Sequence, residues 1–366
     1  MSIDPGDEVA GDGRRDRVAV HVVWDAVLMV AAIVATVLLY VRSSAALSGD
    51  ELRKQLLAAA ASLLLATAFA VSLRAAVPNL AVGSIATGAG VLVGWLSTDQ
   101  HMTAGTAAAL AAGAGAGAGL LLGILVVALR APAWAVSLAA VPLLAAAAVG
   151  VAGSSVVLLT GGPDLLRWPW PLFLGAVLVS AAGGAAALAP RGRAALGAYR
   201  PSGDPAARRG RGGNAVAVAA LLLSALLATA SGLVTVFQLR TAVPASAELT
   251  TNTLAAVAAA LLGGVSVHGR RGGVLGTALA VVTLQFLLQW FALGNYPEWT
   301  PQVVIGGAIV LGLMVSRVVE SAGTPPPVAP AEVDPSAPPP WPQPGYEPGY
   351  DTGYPTGYQP VETDRF

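Results

Sequence analysis

The sequence predicts an all-α fold: a polytopic membrane helix bundle of about ten transmembrane spans with both termini in the cytoplasm. The first observation is composition, since 55% of the 366 residues are hydrophobic and only 11% are charged. Soluble domains carry about 25% charged residues. The second is the regular alternation of long apolar runs with short polar stretches. The third is a strongly basic break within the apolar part of the chain, which fixes the orientation of the spans.

This basic break covers residues 190–213 and contains a single acidic residue, Asp204. An arginine at the centre of a bilayer costs about 2.5–3.5 kcal/mol on insertion scales, so the segment lies in water beside the membrane. Loops rich in arginine stay in the cytoplasm. Its six arginines are Arg191, Arg193, Arg200, Arg208, Arg209 and Arg211.

The apolar runs define the spans in order. Residues 1–17 are a polar cytoplasmic N-terminus, and 18–41 is too long for the apolar region of a cleaved signal peptide, which has about 7–15 residues. The transmembrane domain covers 18–318. Pro142 and Gly150 leave open whether the long segment 132–160 is one span or is kinked and partly re-entrant. The other spans are predicted at 55–77, 79–97, 106–129, 132–160, 172–189, 214–238, 253–268, 273–293 and 300–316.

The distribution of basic residues supports this count. Fourteen arginines fall on the cytoplasmic side and five basic residues outside, as the positive-inside rule expects. The outside group is Arg42, Arg53, Lys54, Arg167 and Arg240. Residues 319–366 are rich in Pro, Gly and Tyr and too poor in apolar residues to form a core, so they are predicted to be a disordered cytoplasmic tail.

Several kinds of chemistry are not expected. The chain has no cysteine, and its three histidines are far apart, so no metal site is predicted. The net charge is zero, which gives no indication of nucleic-acid binding. A Walker A loop needs a lysine after glycine, whereas the single lysine, Lys54, lies in the sequence LRKQ. No catalytic motif is present, so the chain is not expected to be an enzyme, and any ATP is bound by a partner.

Small and polar residues within the spans indicate helix contacts. The pairs Gly90/Gly94, Gly113/Gly117, Gly115/Gly119 and Gly119/Gly123 have the G-x-x-x-G spacing that lets helices approach closely. Polar residues at membrane depth either hydrogen-bond between helices or line a path, and both interpretations stay open. Gln285 and Gln289 share one helix face. These polar residues are Asp25, Asn79, Thr283, Gln285 and Gln289.

Two stretches resemble the membrane permease subunits of sugar-type ABC importers, the ribose, xylose and galactose permeases, and their branched-chain amino acid relatives. The first, LATAFAVSLRAAVPNLAVGS at 65–84, ends like the family pattern D-L-S-V-G-S, with Asn79 in place of the aspartate and Ala81 in place of the serine. The second is GGVSVHGRRGGVLGT at 263–277, which fits the family pattern G-G-x-S-x-x-G-x-x-G-x-x-x-G-T. The matching residues are Leu80, Val82, Gly83, Ser84, Gly263, Gly264, Ser266, Gly269, Gly272, Gly276 and Thr277.

The same resemblance gives the basic loop a role. In the family this loop forms a short coupling helix that docks into the ATPase subunit. Asp204 can also cap a helix that has Pro205 at its first position. Arg208 and Gly210 depart from the family pattern, and a purely topogenic loop without docking is the alternative. The residues expected to couple to the ATPase are Gly203, Asp204, Pro205, Ala207, Arg208, Arg209 and Gly212.

The resemblance implies a permease subunit in a bacterial plasma membrane that forms the path for a small solute, with a monosaccharide expected. The implied partners are an ATP-binding subunit, a second permease subunit, identical or different, and an extracytoplasmic solute-binding protein. The chain itself holds no cofactor. The candidate path residues are Asn79, Ser84, Gln285 and Gln289. Two alternatives are a ten-span secondary carrier of the drug/metabolite type and a non-transporting membrane scaffold.

Overall fold

A computed structural model of the chain describes residues 18–153, 155–159, 161–186, 210–244, 248–266 and 275–321. These residues form ten α-helices, two short 3₁₀ helices and one pair of two-residue strands. The predicted N-terminus 1–17, most of the basic loop 190–213 and the tail from 322 onward lie outside the described residues.

Each predicted span corresponds to one helix. The helices are α1 (Val18–Arg42), α2 (Gly49–Arg74), α3 (Val82–Thr98), α4 (Ala104–Leu129), α5 (Ala133–Ala152), α6 (Pro169–Ala186), α7 (Arg211–Leu239), α8 (Glu248–Leu262), α9 (Gly276–Leu293) and α10 (Thr300–Ser321). The strands β1 (Val157–Leu158) and β2 (Thr241–Ala242) pair antiparallel.

The prediction of a helical membrane bundle is confirmed in this coarse form. Seven helices of the described residues are long and apolar enough to cross a membrane, namely α1, α2, α4, α5, α7, α9 and α10. The helices α3, α6 and α8 are apolar but shorter. The chain therefore has the helices of a multi-pass membrane protein, while the count of ten spans and the cytoplasmic termini stay predictions.

Several helix ends differ from the predicted span boundaries, most clearly for the spans predicted at 132–160, 55–77 and 253–268. The last of these is a helix from Glu248 to Leu262. The span 132–160 ends as a helix at Ala152, because Gly153 has a positive φ of 72°, which a helix does not allow, and β1 follows. Pro142 lies inside α5 without ending it. The span predicted to begin at residue 55 begins at Gly49, since the acidic residues Asp50 and Glu51 suit the first turn of a helix.

The core of the bundle surrounds α2, the most deeply buried of the long helices. Helix α7 runs antiparallel to it: the Ser231 hydroxyl donates to the Ala61 carbonyl at 2.7 Å, and the Gln238 amide donates to the Lys54 carbonyl at 3.0 Å. Helix α1 lies at the outside, where it exposes Val30 and Val41. The Trp24 indole anchors it by donating to the Leu262 carbonyl at 2.8 Å.

Helices α4 and α7 cross at a stripe of glycines. A Cβ atom at Gly119 would lie 2.6 Å from the Cβ of Ala225, and one at Gly123 would lie 2.8 Å from the Cα of Val218. The G-x-x-x-G pairs Gly115/Gly119 and Gly119/Gly123 therefore make the predicted close contact. Gly113 and Gly117 face open space, so the pair Gly113/Gly117 makes no close helix contact among the described residues.

The strand pair marks one end of the bundle, which we call the strand end. There the Thr98 hydroxyl donates to the Leu158 carbonyl at 2.5 Å, and the Arg240 guanidinium donates to the carbonyls of Gly161 and Pro163. The beginning of α2 lies at this end too, because Lys54 accepts the bond from Gln238. Arg240 and Lys54, both predicted to lie outside, thus share one end of the bundle.

Candidate functional site

The segment 75–81 between α2 and α3 is a helix break buried inside the bundle. Ala75, Val77, Asn79 and Ala81 are each 0% exposed. Backbone that is neither helical nor in contact with water must find a hydrogen-bond partner for each N–H and C=O group. The contacts that satisfy this segment define the candidate site.

The sequence ends α2 in a defined way. The Ala76 N–H donates to the Leu73 carbonyl and the Val77 N–H to the Ser72 carbonyl, each at 3.0 Å. These are the two bonds of a Schellman motif, with Ala76 in the left-handed conformation at φ of 59°. Pro78 follows, which cannot donate a backbone hydrogen bond and so cannot continue a helix. The chain must therefore turn here.

Asn79 organises the turn into α3. Its backbone N–H donates to the Ser72 hydroxyl at 3.0 Å, and its side-chain oxygen accepts from the Ala81 N–H at 3.0 Å. The second bond satisfies a donor at the start of α3, as an asparagine before a helix commonly does. Its side-chain NH₂ donates to the Ser224 hydroxyl at 3.1 Å, near the middle of the 29-residue helix α7.

Two more helices supply hydroxyl groups to the break. The Leu80 N–H donates to the Ser137 hydroxyl of α5 at 3.0 Å, and the Gly83 N–H donates to the Thr253 hydroxyl of α8 at 3.2 Å. Side chains of α2, α5, α7 and α8 thus hold one irregular segment. Loss of any one of these hydroxyl groups would remove a hydrogen bond that holds the break or the first turn of α3.

Ser84 lies just beyond the break, in the first turn of α3. Its side chain is 1% exposed, and its hydroxyl has no hydrogen-bond partner. It lines a cavity of about 170 Å³ between α3, α4 and α5, whose other lining residues are apolar or glycine. The predicted path residues Asn79 and Ser84 are therefore close in sequence but have different surroundings.

Gln285 lies in a different part of the bundle. Its amide donates to the Gln55 side-chain oxygen at 3.2 Å, which joins α9 to α2. A smaller pocket of about 80 Å³ lies beside it, between α2, α8, α9 and α10, and Ser62 and Asn252 also line that pocket. Gln289 is half-buried one turn further along α9 and does not line it.

The glycines of the second sequence pattern shape the turn from α8 to α9. The Gly264 N–H donates to the Leu261 carbonyl at 3.0 Å, with φ of 84°, so Gly264 ends α8 in a second Schellman motif. A Cβ atom at Gly263 would lie 2.5 Å from the Cα of Thr277, and one at Gly276 would lie 2.9 Å from Oδ1 of Asp25. Side chains there would push α1, α8 and α9 apart. Gly269 and Gly272 lie outside the described residues.

The predicted coupling loop is described only at its end. The positions Gly203, Asp204, Pro205, Ala207, Arg208 and Arg209 lie outside the described residues, while Gly212 is exposed in the first turn of α7. The coupling role stays a prediction. Among the described residues no group of three or more potential metal ligands occurs.

Several residues of the break were not predicted. Three of the four helices that supply these hydroxyl groups contain further serines or threonines. Nothing in the spacing of the four therefore distinguishes them from ordinary packing residues: they are Ser72, Ser137, Ser224 and Thr253. Arg74, one of the fourteen arginines assigned to the cytoplasmic side, is only 4% exposed, and its guanidinium donates to the Gly183 carbonyl of α6 at 2.5 Å. Only Asn79 was found from the sequence, because an amide stands out in an apolar span.

The fold and the site describe a multi-pass α-helical membrane protein with an internal helix break. No protein-family model, curated protein or solved structure gives a significant match to the chain. The function therefore has to be argued from the break, its surroundings and the sequence patterns.

Proposed function

We propose that this chain is the permease subunit of an ABC importer in a bacterial plasma membrane and forms the path for a small solute. The observation that carries the proposal is the buried break at 75–81. In a bilayer, non-helical backbone is tolerated only where protein buries it or where it lines a water-filled cavity. Transporters recurrently build their solute sites where non-helical backbone lies inside the bundle and lines a cavity.

The sequence patterns support this proposal because each falls on a constrained part of the structure. The stretch that resembles D-L-S-V-G-S contains Asn79 and begins α3. In the second stretch, 263–277, the end of α8 at Gly263 lies in close contact with the start of α9 at Gly276 and Thr277. The coincidence of the two patterns with the break and with this close helix contact favours a shared origin with those permeases.

The energy source in this proposal is a partner chain. The sequence has a single lysine, which is not in a phosphate-binding loop. An ATP-binding subunit would dock on the basic loop through residues 203–212, and its closure would be transmitted to α7, which begins at Arg211. A second permease subunit and an extracytoplasmic solute-binding protein complete the importer.

The solute in this proposal is a monosaccharide, and the polar pocket beside Gln285 suits its passage better than the apolar cavity does. Each buried sugar hydroxyl needs a hydrogen-bond partner, since burying it without one costs free energy. Gln285, Asn252 and Ser62 offer such partners from three helices. The cavity at Ser84 offers one hydroxyl.

Affinity purification in mild detergent, after cross-linking in cells, tests the proposal. We expect an ATP-binding subunit to co-purify with the wild-type chain. The double variant Arg208→Glu, Arg209→Glu should lose that subunit and lose stimulated ATP hydrolysis, because charge reversal removes the docking surface. The matched control reverses two exposed arginines predicted on the other side, Arg53→Glu with Arg167→Glu, and should retain the subunit.

Two results would contradict the proposal. Recovery of the chain without any ATPase, reproduced after cross-linking, would rule out the importer. Ion-coupled uptake by the purified chain alone would identify a secondary carrier instead. Normal ATPase binding by the Arg208→Glu, Arg209→Glu variant would leave the importer in place but remove the coupling role from this loop.

A further inference from the structure

The cavity between α3, α4 and α5 exists because the facing residues are small. Gly88 of α3, Ala111 and Gly115 of α4 and Ala148 of α5 line it, and the cavity volume is about 170 Å³. A Cβ atom at Gly88 would have no neighbouring atom within 4 Å. Protein interiors are normally packed without such voids. A space of this size inside a bundle is a candidate binding site.

The cavity opens sideways, between α4 and α5. Its inner residues Ser84, Ala111 and Ala148 are buried, whereas Ala114 of α4 and Ala147 of α5 are exposed. The exposed side chains around this opening are apolar and include Leu110, Leu121 and Leu143. In a multi-pass membrane protein such a surface contacts hydrocarbon. The opening therefore leads to the interior of the bilayer and not to water.

Ser84 provides the single polar feature. Of the described residues that line the cavity, it alone has a polar side chain. Its hydroxyl is buried and makes no hydrogen bond, although a serine in a helix can donate to a carbonyl of the preceding turn. A buried hydroxyl without a partner is costly in a protein interior, and a native structure that keeps one calls for an explanation. The hydroxyl oxygen is almost completely covered, so a ligand oxygen in the cavity would become its partner after the Ser84 side chain rotates toward the cavity.

We propose that this cavity is a binding site for a small lipophilic molecule that enters from the bilayer and carries one hydrogen-bonding oxygen. An engineered apolar cavity of about 150 Å³ in another protein binds benzene or xenon, so a single-ring molecule is the right size. The apolar walls hold the ring, and the Ser84 hydroxyl donates to a carbonyl or ether oxygen. A monosaccharide is excluded, because its other hydroxyls would find no partners.

The site lies against the first turn of α3, next to the break. Gly83, the neighbour of Ser84, is held by the Thr253 hydroxyl of α8 at 3.2 Å. A ligand bonded to Ser84 would restrain the start of α3 on its other side. The proposal concerns a separate, lipid-facing site and stands whether or not the chain is an importer.

Photolabelling of the full-length protein tests the site. The protein is placed in nanodiscs of one synthetic phosphatidylcholine and irradiated with a small phenyl diazirine, and the labelled peptides are mapped. We expect labelling to concentrate at 84–92, 111–118 and 144–151. Gly88→Leu should reduce it about fivefold by filling the cavity. Gly113→Leu, on the open face of α4, should leave it unchanged and serves as the matched control.

Competition tests the role of Ser84. Acetophenone and α-methylstyrene have nearly the same shape, but only acetophenone has an oxygen acceptor. At equal concentration in the bilayer we expect acetophenone to compete about fivefold better, as one net hydrogen bond predicts. Ser84→Ala should abolish that preference while labelling by the diazirine persists.

Three results would overturn the proposal. Labelling spread evenly over the lipid-facing sides of α1, α4 and α5 would show that no site exists. Labelling that survives in Gly88→Leu would place the probe elsewhere; should that variant aggregate, Ala147→Leu at the opening replaces it. An acetophenone preference that persists in Ser84→Ala would remove the hydrogen bond from the proposed site.

Discussion

Helix α4 contacts its neighbours on two sides through glycine and alanine residues, and the two sides differ in how closely the helices pack. Toward α7, Gly119 and Gly123 approach so closely that no Cβ atom would fit. Toward α3 and α5, Ala111 and Ala114 leave a cavity of about 170 Å³. Gly115 belongs to both, since it lines the cavity and a Cβ atom on it would clash with Thr229. Small residues therefore permit close packing but do not by themselves produce it.

The partner helix makes the difference. Helix α7 presents its backbone at Leu221 and Leu222 to Gly119, so the two helices interlock. Helix α5 presents Leu144, Ala147 and Ala148 at the cavity, and most of its surface is exposed. Lipid provides no hydrophobic drive between helices, so van der Waals packing and hydrogen bonds carry their association. The α4–α7 crossing should then contribute most to stability, the break less, and the cavity wall least.

One substitution made in both regions tests this comparison directly. Gly119→Ala should lower the free energy of unfolding by about 2–3 kcal/mol, because its Cβ would lie 2.6 Å from Ala225 and 2.8 Å from the Leu221 carbonyl oxygen. Gly88→Ala should raise it by about 0.5–1 kcal/mol, because alanine restricts the unfolded chain and finds open space in the cavity.

Unfolding in a detergent titration measures both effects. Gly117→Ala, on the lipid-facing side of α4, is the control: it measures the increase in stability expected from the helix propensity of alanine alone. If Gly119→Ala and Gly88→Ala changed stability in the same direction, the contrast between a closed crossing and an open cavity would be wrong.

The break should give an intermediate effect that depends on hydrogen bonds. Asn79→Leu keeps the branching of the side chain but makes it larger, and it leaves the Ala81 N–H and the Ser224 hydroxyl without their bonds to Asn79. The lost bonds and the tighter packing together should lower the free energy of unfolding by about 2 kcal/mol or more. Thr283→Val is the control, since the Thr283 hydroxyl donates only to the Leu279 carbonyl of its own helix, at 2.7 Å. It should change stability by less than about 0.5 kcal/mol.

A double-mutant cycle measures the free energy of the contact between Asn79 and α7 separately from the other hydrogen bonds of Asn79. Asn79→Leu, Ser224→Ala and their combination should give a coupling energy near 0.6 kcal/mol, the average for hydrogen bonds between membrane helices. A coupling near zero, with a large effect of Asn79→Leu alone, would show that Asn79 acts through the turn into α3 and not through α7.

Most of the helices could be predicted from the sequence, because a helix that crosses a bilayer must have a minimum length and an apolar composition. The error at 132–160 shows where that rule stops. Residues 156–159, Val-Val-Leu-Leu, are as apolar as a helix interior, yet they lie outside α5, and Val157 and Leu158 form β1. Hydropathy reports the solvent that a segment prefers, whereas the end of α5 depends on the backbone conformation of Gly153 and on pairing with β2, more than 80 residues away.

Less of the candidate site could be predicted. Asn79 stands out as an amide in an apolar span, but its partner Ser224 looks like any serine in a helix. Which hydroxyls meet at the break depends on which helices are neighbours, and hydrophobic patterns do not give that. The same limit applies to Ser84, whose missing partner is a property of the packed bundle. The residues Asn79, Ser84 and Gln285, predicted together, line three different places.

Only a small effect on stability is expected at the polar pocket, where the effect on the proposed sugar transport should be largest. Gln285→Leu removes one hydrogen bond, to Gln55, and should change the free energy of unfolding by only about 0.6 kcal/mol. Monosaccharide uptake by cells should nevertheless fall strongly, because a sugar passing the pocket loses a hydrogen-bonding partner there. Thr283→Val, on the same helix, should leave uptake unchanged. If Gln285→Leu transported normally while Gly88→Leu did not, the solute path would run through the apolar cavity, and the solute would be lipophilic. Comparing uptake by the Gln285→Leu and Gly88→Leu variants would therefore show whether the substrate is a sugar or a lipophilic molecule.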